Sequence, residues 1–113
     1  MKFMTTELQS AKPYSLFFQA FSNPVRMEIV NLLREKEKAL SVTEICEELE
    51  LEQTRVSHAL RCLTFCGLVK SIRDGKSKMY SLNKETVLPL IRIVDAHLKK
   101  FASNLYTCDV LER

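Results

Sequence analysis

Two glycines in a chain of 113 residues leave no glycine-rich loop to cradle a phosphate. Nor does the sequence offer a nucleophile, a base and an orienting partner that could be matched into a catalytic set, so an enzyme is not expected. Long apolar runs are missing too. The best stretch, residues 87–94, is broken by Pro89 and Arg92 and falls well short of a membrane span. The opening Met1-Lys2-Phe3-Met4-Thr5-Thr6-Glu7 lacks the apolar centre of a secretory signal, which makes the cytoplasm the expected location, with no membrane partner. There are no internal repeats and no low-complexity linkers, and the length suits one domain over residues 1–113.

Hydrophobic residues make up 46% of the chain, enough for a core. A monomer of this size buries a limited share of its surface, so a dimer is expected. The net charge of +3 is mild, but its distribution is not even. Residues 53–82 carry Arg55, Arg61, Lys70, Arg73, Lys76 and Lys78 against Asp74 alone. Residues 44–52 carry Glu44, Glu47, Glu48, Glu50 and Glu52 and no cation. A basic face beside an acidic one suits a nucleic-acid binder.

The pattern predicts five helices and one hairpin. Residues 13–21 read as a short, very apolar helix. Asn23-Pro24 is a helix start, with Asn23 as cap and Pro24 in the first helical position. That helix runs to about Glu37, with Val25, Ile29, Val30, Leu32 and Leu33 on its apolar face. Ser41 and Glu44 form a capping box for a helix over 42–49. Glu50-Leu51-Glu52 is the turn into a helix over 53–66, which buries Val56, Leu60 and Leu63 and stops at Gly67. Strands over 69–73 and 78–82 flank Asp74-Gly75, a dipeptide that favours tight hairpins. A long helix over 86–106 closes the chain, with Leu90, Ile91, Val94, Leu98, Phe101 and Leu105 at helical spacing. The apolar first and last helices have too little small domain to pack against, which points to a homodimer interface over 13–21 and 86–106.

Two helices joined by a short turn over 41–66 make a helix-turn-helix, and the basic hairpin over 69–82 makes it winged. The second helix belongs in the major groove of an operator, with its N-terminal half toward the base edges. Gln53, Thr54, Arg55, Ser57 and His58 are the candidates there, since Gln and Arg can pair bidentately with adenine and guanine. Arg61 falls further along, at the level of the phosphates. Arg73, Lys76 and Lys78, around Gly75, suit backbone or minor-groove contacts.

Four stretches carry a family resemblance. They are Phe21-Ser22-Asn23-Pro24-Val25-Arg26-Met27-Glu28-Ile29-Val30, the helix with Val56-Ser57-His58-Ala59-Leu60, the exit Cys66-Gly67-Leu68-Val69, and the wing from Asp74-Gly75 to Tyr80-Ser81-Leu82. Over residues 14–106 the chain resembles the ArsR/SmtB winged-helix repressors. The resemblance implies a homodimer that leaves its operator on binding a metal or on thiol modification. The cysteine cluster of that family's arsenic site is reduced here to Cys46, with no second cysteine in its helix.

Cys62 and Cys66 stand one helical turn apart, so two thiolates could converge on one ion. With Cys108 as a third ligand the pattern resembles the CmtR-type cadmium/lead sensors. Three thiolates suit a soft divalent metal, cadmium or lead, or zinc. A second resemblance joins Asp95, His97 and Cys108 in the manner of the family's zinc site, although Leu111 stands where a fourth ligand is expected. In a reducing compartment the alternatives for the cysteines are a redox or persulfide switch, or plain buried filler in a winged-helix regulator without an effector.

Overall fold

The computed structural model describes residues 10–111. It divides into two compact units, one ending at Leu82 and one beginning at Asn83. The first holds α1 (Lys12–Phe21), α2 (Pro24–Lys36), β1 (Leu40–Ser41), α3 (Val42–Leu49), α4 (Gln53–Phe65), β2 (Val69–Asp74) and β3 (Ser77–Leu82). The second holds α5 (Val87–Thr107). Among the described residues these are the elements of a winged helix-turn-helix: five helices and a small antiparallel sheet.

Each helix of the first unit ends for a local reason. Asn23 Oδ1 accepts a hydrogen bond from the Arg26 backbone N–H at 3.0 Å and starts α2. At α3 the capping box is complete: Ser41 Oγ accepts from the Glu44 N–H at 3.2 Å, and Glu44 Oε1 accepts from the Ser41 N–H at 2.9 Å. At the end of α4 the Gly67 N–H donates to Thr64 O and the Leu68 N–H donates to Leu63 O. That paired pattern needs a left-handed residue between the two donors' partners and the exit strand, and Gly67 supplies it at φ 80°. α2 and α3 end without glycine, on Glu37 and Glu50 at φ 56° and 55°.

The core lies where α2, α3 and α4 meet the sheet. Ile29 and Val30 of α2, Ile45 of α3, and Val56, Leu60 and Leu63 of α4 are sealed from solvent together with Leu68 and Val69. Burial of one such side chain contributes about 1.5–3 kcal/mol, so this cluster fixes the angle between the two helices of the helix-turn-helix.

Two details of the sheet differ from expectation. A third strand, β1, pairs with β3 through Leu40↔Tyr80 and Ser41↔Met79, giving the order β1-β3-β2. Two residues are too few to show an alternating pattern in sequence. Each wing strand also runs one residue further toward the tip, with Asp74 paired to Ser77. The turn is therefore Gly75-Lys76 rather than Asp74-Gly75. Gly75 alone has positive φ (65°), as a two-residue turn with glycine in its first central position requires.

In the second unit Asn83 Oδ1 accepts from the N–H groups of Glu85 and Thr86, turning the chain into α5. Pro89 falls in the first turn, where its missing N–H costs no helical bond. Val87 and Ile91 are buried, while Val94, Leu98, Phe101 and Leu105 form a half-exposed apolar stripe. α1 presents a similar face, with Tyr14, Leu16, Phe17 and Phe18 exposed and only Ala20 and Phe21 buried. No helix among the described residues is long and apolar enough to cross a membrane.

Candidate nucleic-acid interface and thiol site

α4 has two faces. Val56, Ala59, Leu60 and Leu63 point into the core. Gln53, Thr54, Arg55, Ser57, His58 and Arg61 are all exposed. The first five cluster over the first turn and a half, and Arg61 follows one turn below Ser57. Burial of the opposite face holds this polar row outward on a rigid helix, ready for base edges.

The wing carries Arg73, Lys76 and Lys78, all exposed. The register pairs Arg73 directly with Lys78 across β2 and β3. Like charges directly opposite each other destabilise a hairpin, so this pair is retained at some expense to folding. Lys78 Nζ also lies 5.9 Å from the centre of the Tyr80 ring, a loose cation–π contact. An unbalanced cationic hairpin beside a polar helix is a surface suited to a polyanion.

Cys62 and Cys66 come together at the end of α4, with Cys62 half-buried and Cys66 exposed. The Cys66 N–H donates to Cys62 O at 3.0 Å, and the two thiols also interact with each other. Desolvation pushes the Cys66 thiol above its ordinary pKa. The charge of Cys62 and a hydrogen bond to it push the same way, against the pull of the Arg26 guanidinium. Cys66 is therefore held as a thiol at neutral pH, and a metal would have to displace its proton. Cys46 is half-buried beside the sealed Ile45.

The remaining candidate ligands belong to the second unit. Cys108 follows the last residue of α5 and is half-buried. Asp95 is half-buried, and exposed His97 lays its ring 4.8 Å from that of Phe101. Among the described residues of one chain, no three His, Cys, Asp or Glu side chains form a group that could hold a metal ion. The structure brings Cys62 and Cys66 together.

Arg26 has a role that its place in the sequence motif does not disclose. Its Nε donates to Ala20 O at 2.7 Å and its Nη2 to Gln19 O at 3.2 Å. A cation on the last carbonyls of α1 complements the helix dipole and anchors α1 to α2. The signal was an arginine two residues beyond an Asn-Pro helix start, but nothing in the sequence says where its guanidinium reaches.

An exposed polar row on the second helix of a helix-turn-helix, flanked by a basic hairpin, defines a winged-helix DNA-binding protein. Residues 23–71 match the bacterial regulatory protein, arsR family. The chain is 33% identical over 93 residues to a transcriptional repressor SmtB homolog of Synechocystis sp., spanning 82% of this chain and 69% of that protein. It is 32% identical over 92 residues to a probable mercury resistance operon repressor of Streptomyces lividans, spanning 81% and 72%. The crystal structure of M. tuberculosis Rv0081 superposes with a TM-score of 0.74 at 28% identity, covering 85% of this chain and 95% of that one. The chain belongs to the ArsR/SmtB family of transcriptional repressors.

Proposed function

We propose that this repressor acts as a cytoplasmic homodimer and releases its operator when a thiophilic divalent metal, cadmium or lead, or zinc, binds Cys62, Cys66 and Cys108. The observation that carries the reading is the thiol pair on the reading helix itself. Two thiols one turn apart share a face, and soft cations prefer sulfur. Similarity to a probable mercury resistance operon repressor supports a soft metal of this class. The half-exposed apolar faces of α1 and α5 support dimerisation through those helices. Gln53, Thr54, Arg55, Ser57 and His58 read bases in this scheme, and Arg61, Arg73, Lys76 and Lys78 meet the backbone. A site formed by Asp95, His97 and Cys108 is the second candidate for the metal.

Ligation works as a switch only through its difference in affinity for the two states of the dimer. The ion must favour the DNA-incompetent state by a few kcal/mol, about 5.5 for a complete reversal of populations. Cadmium titration of the reduced protein, with the sulfur-to-metal charge-transfer band and DNA anisotropy followed together, tests this. Saturation at one ion per subunit should coincide with DNA release, and C62S/C66S should abolish both. Retained DNA binding with no band would sink the metal reading. Release by a mild oxidant or persulfide donor in that same assay would mark a thiol switch instead, and no response to either an effector-free regulator.

A further inference from the structure

Between α4 and β3 runs a groove of about 410 Å³. Its walls are the two elements that face DNA: Arg61, Thr64 and Phe65 come from α4, and Lys78 and Tyr80 from β3. Ser57, in the base-reading row, lies at its edge, so groove and reading face are continuous.

Three features of the groove lack a counterpart in the free protein. The first is charge. Arg61 and Lys78 are exposed on opposite walls, and the sheet register adds Arg73 directly opposite Lys78. Arg73 and Lys78 share a strand face with the Ser71–Tyr80 pair, since positions two apart point the same way. Two cations line the groove and a third adjoins it across the sheet, at a cost to folding that an anion would reverse. The second feature is Phe65, 91% exposed, an aromatic ring left in water on the last turn of the helix. The third is the Thr64 hydroxyl, sealed from solvent and without a hydrogen-bond partner. An unmet polar group of this kind is costly to leave buried.

We propose that this groove seats one sugar–phosphate unit of the operator backbone, with a single phosphate shared between Arg61 and Lys78 and the adjoining deoxyribose packed on Phe65. A free inorganic anion would satisfy the two cations and leave the aromatic ring unused. A nucleotide unit matches both, in a position contiguous with the base-reading row. The contact joins reading helix to wing through one phosphate, so it fixes the register of the whole motif on the duplex. It rests on DNA binding by the family and not on the metal reading.

The test is the salt dependence of binding to a labelled duplex selected from a random pool by the wild-type dimer. Each phosphate contact contributes about 0.9 to the slope of log K against log salt. R61A and K78A alone should each leave the slope nearly unchanged, because the other cation still neutralises the shared phosphate, and R61A/K78A together should lower its magnitude by about 0.9. F65A should weaken binding several-fold with the slope unchanged, and F65L should recover part of the loss. All three positions are exposed, so folding is preserved, and circular dichroism checks it. A double-variant slope lowered by about 1.8 would show two separate phosphates. That result, or wild-type affinity in F65A, would overturn the proposal.

Discussion

Glu50 closes α3 in the left-handed region, where an L side chain costs about 1–2 kcal/mol. Glycine there avoids that cost but loses about 0.5–1 kcal/mol of unfolded-chain entropy. The difference predicts that E50G raises stability by about 0.5–1 kcal/mol, read as a higher urea midpoint with an unchanged m-value. G67A is the mirror experiment. A Cβ at Gly67 meets nothing within 4 Å, so no clash adds to the backbone strain at φ 80°. The variant should lose about 1 kcal/mol. Glu44 gives a pH-dependent case. Hydrogen bonds from the Ser41 backbone and side chain, with Lys38 nearby, hold its carboxyl below the ordinary glutamate pKa. A depressed carboxyl contributes stability above its unfolded pKa and loses it as pH falls through the folded value. Wild type should therefore melt above E44Q at neutral pH, and the gap should close in acid below the ordinary glutamate range.

At the scale of elements, the Arg73–Lys78 pair places like charges directly opposite each other across the hairpin, which under the proposed function sets folding against binding. R73T should raise the free protein's stability by about 0.2–1 kcal/mol while weakening its hold on DNA. A variant that loses both stability and affinity would show that Arg73 does not destabilise the free hairpin. All five helices were legible in the sequence because each has a local cause: the Asn23-Pro24 start, the Ser41/Glu44 box, the Gly67 stop and apolar faces at helical spacing. β1 was not, because its two residues are held by the edge of β3 rather than by any pattern of their own. The turn register slipped by one for a related reason. Asp74-Gly75 and Gly75-Lys76 both place a glycine where φ is positive, and only pairing of Asp74 with Ser77 separates them. The polar row of α4 was readable as the complement of its buried face. The groove was not, since Phe65 and Tyr80 look like ordinary core residues until one of them is found in water.

At the scale of the whole molecule, α1 leaves an apolar face exposed to solvent. Tyr14 is 63% exposed and Phe18 57%. Burying such rings between two copies supplies the driving force for association. F17E should shift the protein to monomer in sedimentation, with operator affinity falling steeply because two half-sites are no longer held together. A dimer that persists unchanged in F17E would place the interface elsewhere.

Cys62 stands on the same 13-residue helix as Gln53 and Arg55, a rod about 20 Å long, and Cys66 caps its end. Any effector held at one end and DNA at the other compete for the posture of a single object. Coupling of that kind is reciprocal: DNA must weaken the effector's hold by the factor that the effector weakens DNA's. Under the proposed metal reading, copies seated on operators would be the weakest chelators of the population and would load last. Free copies would act as a sponge, filling before any gene is released. The concentration at which transcription switches on would then rise with the number of spare repressors, and the cell would set its own alarm level by how much of this protein it makes.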